Sequence, residues 1–188
     1  MTELESLSGR FLTLPADEVE EWLVAFLREH GAGGVLSWDQ DHLPVPGLLD
    51  GLQRAKIDVT SGELPHNHTS RGAALEQWSR LKVGLTGADA ALAATGTLIL
   101  RAGPGRPRLA SLSVETHIAF VTADQFHASW EDWIAASGSG AGDWVAQASN
   151  VSLVSGPSRT ADIEMTLTVG VHGPGEVLVV LVTDPARP

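Results

Sequence analysis

The chain contains no cysteine. That excludes disulfides, thiol nucleophiles and any iron–sulfur cluster held by this chain alone. No apolar run approaches the ~20 residues of a membrane-spanning helix, so no membrane span is expected. The opening MTELESLSGRF lacks the basic start and apolar centre of a secretory signal, and a cytoplasmic protein is the expectation. Basic residues are scarce: 12 Lys and Arg stand against 23 Asp and Glu, for a formal net charge of −11. Such a surface repels nucleic acid and anionic lipid, so neither is expected as a partner. Walker A, GxGxxG, GxSxG and HExxH patterns are all missing, and with them the phosphate-loop, dinucleotide, serine-hydrolase and zincin mechanisms. His66 and His68 supply two ligands in a polar stretch, short of a metal site. No metal is expected.

What is present suits one α/β domain over residues 1–188, with 43% hydrophobic residues. Val19, Trp22, Leu23, Phe26 and Leu27 form one apolar stripe, predicting a helix over Ala16–His30. Acidic residues open that segment and Gly31 closes it, in line with the helix dipole. Further helices are predicted over Pro46–Arg54, around Leu75–Leu81, over Ala90–Ala94 and over Asp124–Ala136. Leu64–Arg71 reads as an irregular loop and Ser137–Gly142 as a Gly/Ser linker. Short apolar runs predict strands at Val35–Trp38, Lys56–Thr60, Lys82–Leu85, Thr97–Arg101, His117–Val121, Val151–Val154 and Val177–Val182. Met165–Val169 fits a strand or a helix tail. Continuously apolar strands between helices imply a mostly parallel sheet flanked by helices. Trp22, Trp78, Trp130 and Trp133 fall on helical apolar faces and are expected in the core. His117 is expected at a strand edge.

Three turns carry candidate chemistry. Thr86-Gly87-Ala88-Asp89 follows a predicted strand, and Thr95-Gly96-Thr97 opens the next. Gly156-Pro157-Ser158-Arg159-Thr160-Ala161-Asp162 follows the strand Val151–Val154. Glycine allows a sharp turn, Ser158 or Thr160 can cap a following short helix, and its free amides would favour an anion. Arg159 can add a bidentate contact to carboxylate or phosphate. Equally, Ser158 may be read as a plain cap and Arg159 as the ion-pair partner of Asp162 or Glu164. In an open α/β sheet, ligands sit beyond the carboxyl ends of the strands, where these turns are expected. Asp89 and Asp162 are candidate acids or acceptors. His172, between Val171 and Gly173, is either an acid–base group or a turn histidine bonded to backbone.

The segment GLTGADAALAATGTLIL (Gly84–Leu100), with the later GPSRTADIE (Gly156–Glu164) and GVHGP (Gly170–Pro174), resembles the LUD-domain family of lactate utilization proteins. The similarity covers about residues 80–183. It implies a fold similar to the sugar-phosphate isomerase and CoA-transferase-like superfamily. It also implies a part in oxidation of L-lactate to pyruvate, as a cluster-free accessory subunit beside two partner proteins that carry iron–sulfur clusters. The matching positions, expected to bind ligand, are Thr86, Gly87, Asp89, Thr95, Gly96, Thr97, Gly156, Ser158, Arg159, Thr160, Asp162, Glu164, His172 and Gly173. Ala94 stands where the family commonly has an acidic residue, so a carboxylate acting there is absent and no catalytic residue is assigned. The alternative is an independent binding protein or enzyme for an anionic metabolite: a hydroxy acid, sugar phosphate or CoA ester.

Overall fold

The structure, a computed structural model, describes residues 2–65, 67–138, 148–161, 167–170 and 172–184. Its centre is a six-stranded, wholly parallel sheet. In chain order the strands are β1 (Arg10–Pro15), β2 (Gly34–Ser37), β3 (Asp58–Ser61), β4 (Val83–Thr86), β7 (Thr116–Val121) and β12 (Glu176–Thr183), and across the sheet they run β1-β12-β7-β4-β2-β3. Between β4 and β7 lie β5 (Ala90–Leu92) and β6 (Thr97–Ala102). With β8 (Phe126–His127) and β9 (Asn150–Val154) they form a second sheet in the order β8-β5-β6-β9. A short hairpin of β10 (Arg159–Ala161) and β11 (Leu167–Val169) completes the strands.

The interior parallel strands are the apolar runs expected of a sheet covered on both faces. All six residues of β7 and all four of β2 and β4 are buried. The helix α2 (Val19–Glu29) buries Val19, Leu23, Phe26 and Leu27 into the same core as Leu36, Phe120 and Leu178. Gly84 in β4 lies against the short helix α5 (Leu109–Leu112), where a Cβ would run into the Ala110 carbonyl. The second sheet sits on the first through Phe126, whose ring meets Phe11 edge-on at 6.3 Å. Its other face carries a separate small core of Ala90, Leu92, Ile99 and Trp133, covered by helix α6 (Trp130–Ala136).

The mostly parallel α/β expectation holds, and several local expectations are corrected. Within the predicted helix Ala90–Ala94, Ala90–Leu92 is strand β5 and Ala93 and Ala94 lie in the turn: helix propensity is a weak force, and pairing with β6 and β8 decides the outcome. The predicted helix Asp124–Ala136 is divided into a 3-10 turn (Ala123–Gln125), β8 and α6, because Ser129 caps the later helix by accepting from the Asp132 amide at 3.2 Å. The loop expected to run to Arg71 gives way at His68 to helix α4 (His68–Trp78), capped by Asn67. Strand β1 has no counterpart among the sequence expectations. Trp78 and Trp133 are buried as expected, whereas Trp130 is 40% exposed. His117 is fully buried in an interior strand rather than at an edge. No helix among the described residues is long and apolar enough to cross a membrane.

Candidate functional site

The strand order places a switch point between β2 and β4. From β2 the chain steps outward to β3, then returns to β4 and moves the other way through β7 to β12. The crevice at the carboxyl ends of two such strands is where open α/β sheets hold ligands. Here Trp38 and Asp39 follow β2, and Thr86-Gly87-Ala88-Asp89 follows β4. The chain fills this crevice itself with the loop Gly103–Pro107. The Gly105 carbonyl accepts from the Asp39 amide at 2.8 Å, and the Gly105 amide donates to Glu63 Oε1 at 2.8 Å. A Cβ on Gly105, whose φ is +68°, would press on Asp39 and His42. The Arg106 guanidinium lies 5.9 Å from the Trp38 ring centroid, and Trp38 Nε1 donates to the Pro107 carbonyl at 3.3 Å.

Asp89 ties this loop to the second sheet. Its Oδ2 accepts from the Arg101 amide at 2.7 Å, and its Oδ1 accepts from Arg101 Nε at 2.7 Å and Arg106 Nη1 at 3.1 Å. The Asp89 side chain is 10% exposed. Three charge-assisted bonds to one nearly buried carboxylate make a clasp, with Arg106 Nε left without an acceptor. Thr86 is fully buried, and its Oγ1 meets His117 Nε2 at 2.8 Å. His117 Nδ1 has no hydrogen-bond partner among the described residues. Burial lowers the His117 pKa to about 4, so the imidazole is neutral at pH 7.

The other expected site residues gather elsewhere. Strands β5 and β6 form a hairpin that runs back from the Asp89 end of the sheet to its amino end. Its turn holds Thr95, Gly96 and Thr97, with Gly96 at φ +59°. Strand β9 pairs antiparallel with β6. The segment after it, Ser155–Arg159, therefore lies at the amino end too, not at the carboxyl ends anticipated for it. The contacts agree. The Ser158 amide donates to the Pro174 carbonyl at 2.8 Å, while Gly175 bonds to Glu115 just before β7. Thr97 Oγ1 links Thr95 Oγ1 at 2.7 Å to Ser155 Oγ at 2.8 Å, a chain of three hydroxyls. A Cβ on Gly173 would touch Ser158 at 3.1 Å. The six residues of β7, at ~3.3 Å each, set the two edges on the order of 15–20 Å apart. The structure thus brings Thr95, Gly96, Thr97, Gly156, Ser158, Arg159 and Gly173 together and leaves Thr86, Gly87 and Asp89 at the opposite edge. His172 is exposed. Asp162 and Glu164 lie outside the described residues, and of Thr160 only the backbone, in β10, is described.

Arg159 stands at the amino edge, and its two candidate ion-pair partners, Asp162 and Glu164, lie outside the described residues. Ser158 does not cap a helix, because Arg159–Ala161 pairs with Leu167–Val169 as a strand. Arg159 Nη2 donates to the Leu7 carbonyl and, at 2.8 Å, to Ser8 Oγ. Both acceptors are uncharged and belong to the turn after helix α1 (Thr2–Ser6). Among the described residues Arg159 meets no carboxylate. Neither Arg101 and Arg106 nor the Leu4–Ser8 segment stands out by motif. The scarcity of basic residues is the one signal that marks the arginines beside the Gly103–Pro107 loop.

A family model described as LUD domain matches residues 1–182. Lactate utilization protein C of Halalkalibacterium halodurans is 31% identical over 168 residues, which cover 89% of this chain and 70% of that relative. Lactate utilization protein C of a Geobacillus species is 29% identical over 173 residues, covering 90% and 70% respectively. The crystal structure of a DUF162 family protein from Deinococcus radiodurans superposes with a TM-score of 0.62 at 23% identity, covering 96% of this chain and 92% of that one. That likeness supports the fold.

Proposed function

Because the chain belongs to the LUD-domain family, we propose that it serves lactate utilization as a cluster-free cytoplasmic subunit beside iron–sulfur proteins that oxidise L-lactate to pyruvate. The observation that carries this reading is the family match across nearly the whole chain. The absence of cysteine fits it, since the electron-carrying clusters must then be held by other chains. At the position before the second Thr-Gly, Ala94 is exposed and bonds through its amide to the Ala128 carbonyl at 3.0 Å. It supplies no acid or nucleophile there, which favours an accessory part. The test is reconstitution: the iron–sulfur partners, purified with and without this chain, are assayed for pyruvate formed from L-lactate. Turnover should require the chain, and a tagged chain should retain the partners. Full turnover without it, together with no retention, would defeat the proposal.

A second reading, binding of a small anionic metabolite, is favoured by Arg159. Its acceptors among the described residues are neutral, which leaves its charge available for a carboxylate. Size favours a hydroxy or keto acid, because one arginine and short hydroxyls suit one oxyanion. L-Lactate or pyruvate should raise the melting temperature of the protein, and Arg159→Ala should abolish the rise. An equal rise in the variant would refute this assignment.

A further inference from the structure

Each turn at the amino edge is covered by a different residue of one short segment. Leu4 covers Gly96, where a Cβ would lie 2.5 Å from the Leu4 nitrogen. The Leu7 carbonyl covers Gly156, where a Cβ would lie 3.0 Å away, and the same carbonyl accepts from Arg159. Ser8 Oγ is the second acceptor on that guanidinium. Both oxygens stand on Nη2, one of the nitrogens through which the guanidinium would hold a carboxylate.

The segment is suited to leaving. Helix α1 has five residues, far below the length at which a helix holds itself together. Ser8 has φ +67°, a conformation that a non-glycine residue adopts against steric preference. Among the described side chains of residues 3–8, Leu4 alone is buried in the core, beside a small apolar pocket lined by Phe11, Leu92, Leu98 and Phe126. Segments held by so few contacts open at low free-energy cost.

We propose that residues 2–8 form a displaceable cover, with the Leu7–Ser8 turn standing on Arg159 in place of a small carboxylate ligand. This rests on the anion reading of Arg159 given above. Ligand and cover compete for one guanidinium, so occupancy of the closed form weakens binding by the fraction of molecules that are open.

The probe is pyruvate, with inorganic phosphate as a second arm to separate carboxylate from general oxyanion binding. Three proteins are titrated by calorimetry: the wild type, Ser8→Pro and Arg159→Gln. Proline cannot take a φ of +67°, so Ser8→Pro opens the cover while leaving Arg159 intact. Pyruvate should bind Ser8→Pro on the order of tenfold more tightly than the wild type, phosphate more weakly than pyruvate, and Arg159→Gln not at all. A second measurement needs no variant. In the wild type, pyruvate should speed hydrogen exchange at the amides of Leu7, Ser8 and Gly9, which close the turn on Glu3, Glu5 and Leu4. Equal or weaker binding in Ser8→Pro, or unchanged exchange with pyruvate bound, overturns the cover while leaving the anion site standing. No binding by any of the three proteins overturns both. Phosphate bound as tightly as pyruvate overturns the carboxylate assignment.

Discussion

The two ends of the parallel sheet use arginine in opposite ways. At the carboxyl edge, Arg101 and Arg106 converge on one carboxylate, and the loop Gly103–Pro107 closes the crevice over the switch point. At the amino edge, Arg159 rests on a carbonyl and a hydroxyl. In the first arrangement both guanidinium groups bond to a nearly buried carboxylate, so disrupting it costs stability. The second has no carboxylate partner among the described residues, so disrupting it is expected to cost little stability and, on the anion reading, to change what the protein binds. A charged side chain that resembles a site in sequence is therefore judged by its partners: Asp89 is consumed by its neighbours, whereas Arg159 is not.

The sharpest way to break that contrast is at the two charges. Asp89→Ala removes the carboxylate that two partly buried guanidinium groups share and should cost about 3 kcal/mol of unfolding free energy, whereas Arg159→Ala should stay within about 0.5 kcal/mol. Urea melts of both variants decide it, and comparable losses would erase the distinction. Next in size is a pH effect at His117, the second residue of β7. Unfolded, His117 takes up its proton near the ordinary histidine pKa; folded, it does so only at about 4. As pH falls from 7 towards 4, the unfolded state therefore binds the extra proton and stability drops by up to about 3 kcal/mol, with no such contribution at higher pH. The loss should vanish from the pH profile of His117→Gln. Parallel profiles for variant and wild type would show that another group is responsible. The smallest contrast concerns glycine. A Cβ on Gly87 would drive into the His42 carbonyl, while on Gly173 it meets the Ser158 Cβ at 3.1 Å. Gly87→Ala should cost about 2 kcal/mol and Gly173→Ala well under half of that, as read from their melting curves.

Residues whose environment is local were legible in the sequence. The stripe from Val19 to Leu27 and the apolar run His117–Val121 form what their periodicity dictates, because one face or both must be buried whatever lies beyond. Ala90–Ala94 was not legible: a run of small residues takes the structure of its neighbours, and those neighbours are the distant Ile99 and Phe126. The candidate site divides along the same line. The turns themselves follow from Gly, Ser and Thr, but the edge on which each turn lies depends on strand direction. Because β9 pairs with β6 rather than joining the parallel sheet, Gly156 emerges at the end opposite Thr86. Asp89 likewise needed Arg101 and Arg106 beside it before its role could be seen.

The position of β12 has a consequence in time. It fills the gap between β7 and β1, and among the described residues β1 pairs with β12 alone, from Arg10 opposite Leu178 to Pro15 opposite Thr183. During synthesis β1 thus leaves the ribosome long before its partner. At 5–20 residues per second that interval is on the order of ten seconds. Throughout it, the edge of β7 and the backbone of β1 are open to other chains, and closure waits for the most sequence-distant pairing in the molecule, the kind that slows folding. Assembly of the central sheet is an event that follows translation of Glu176–Thr183.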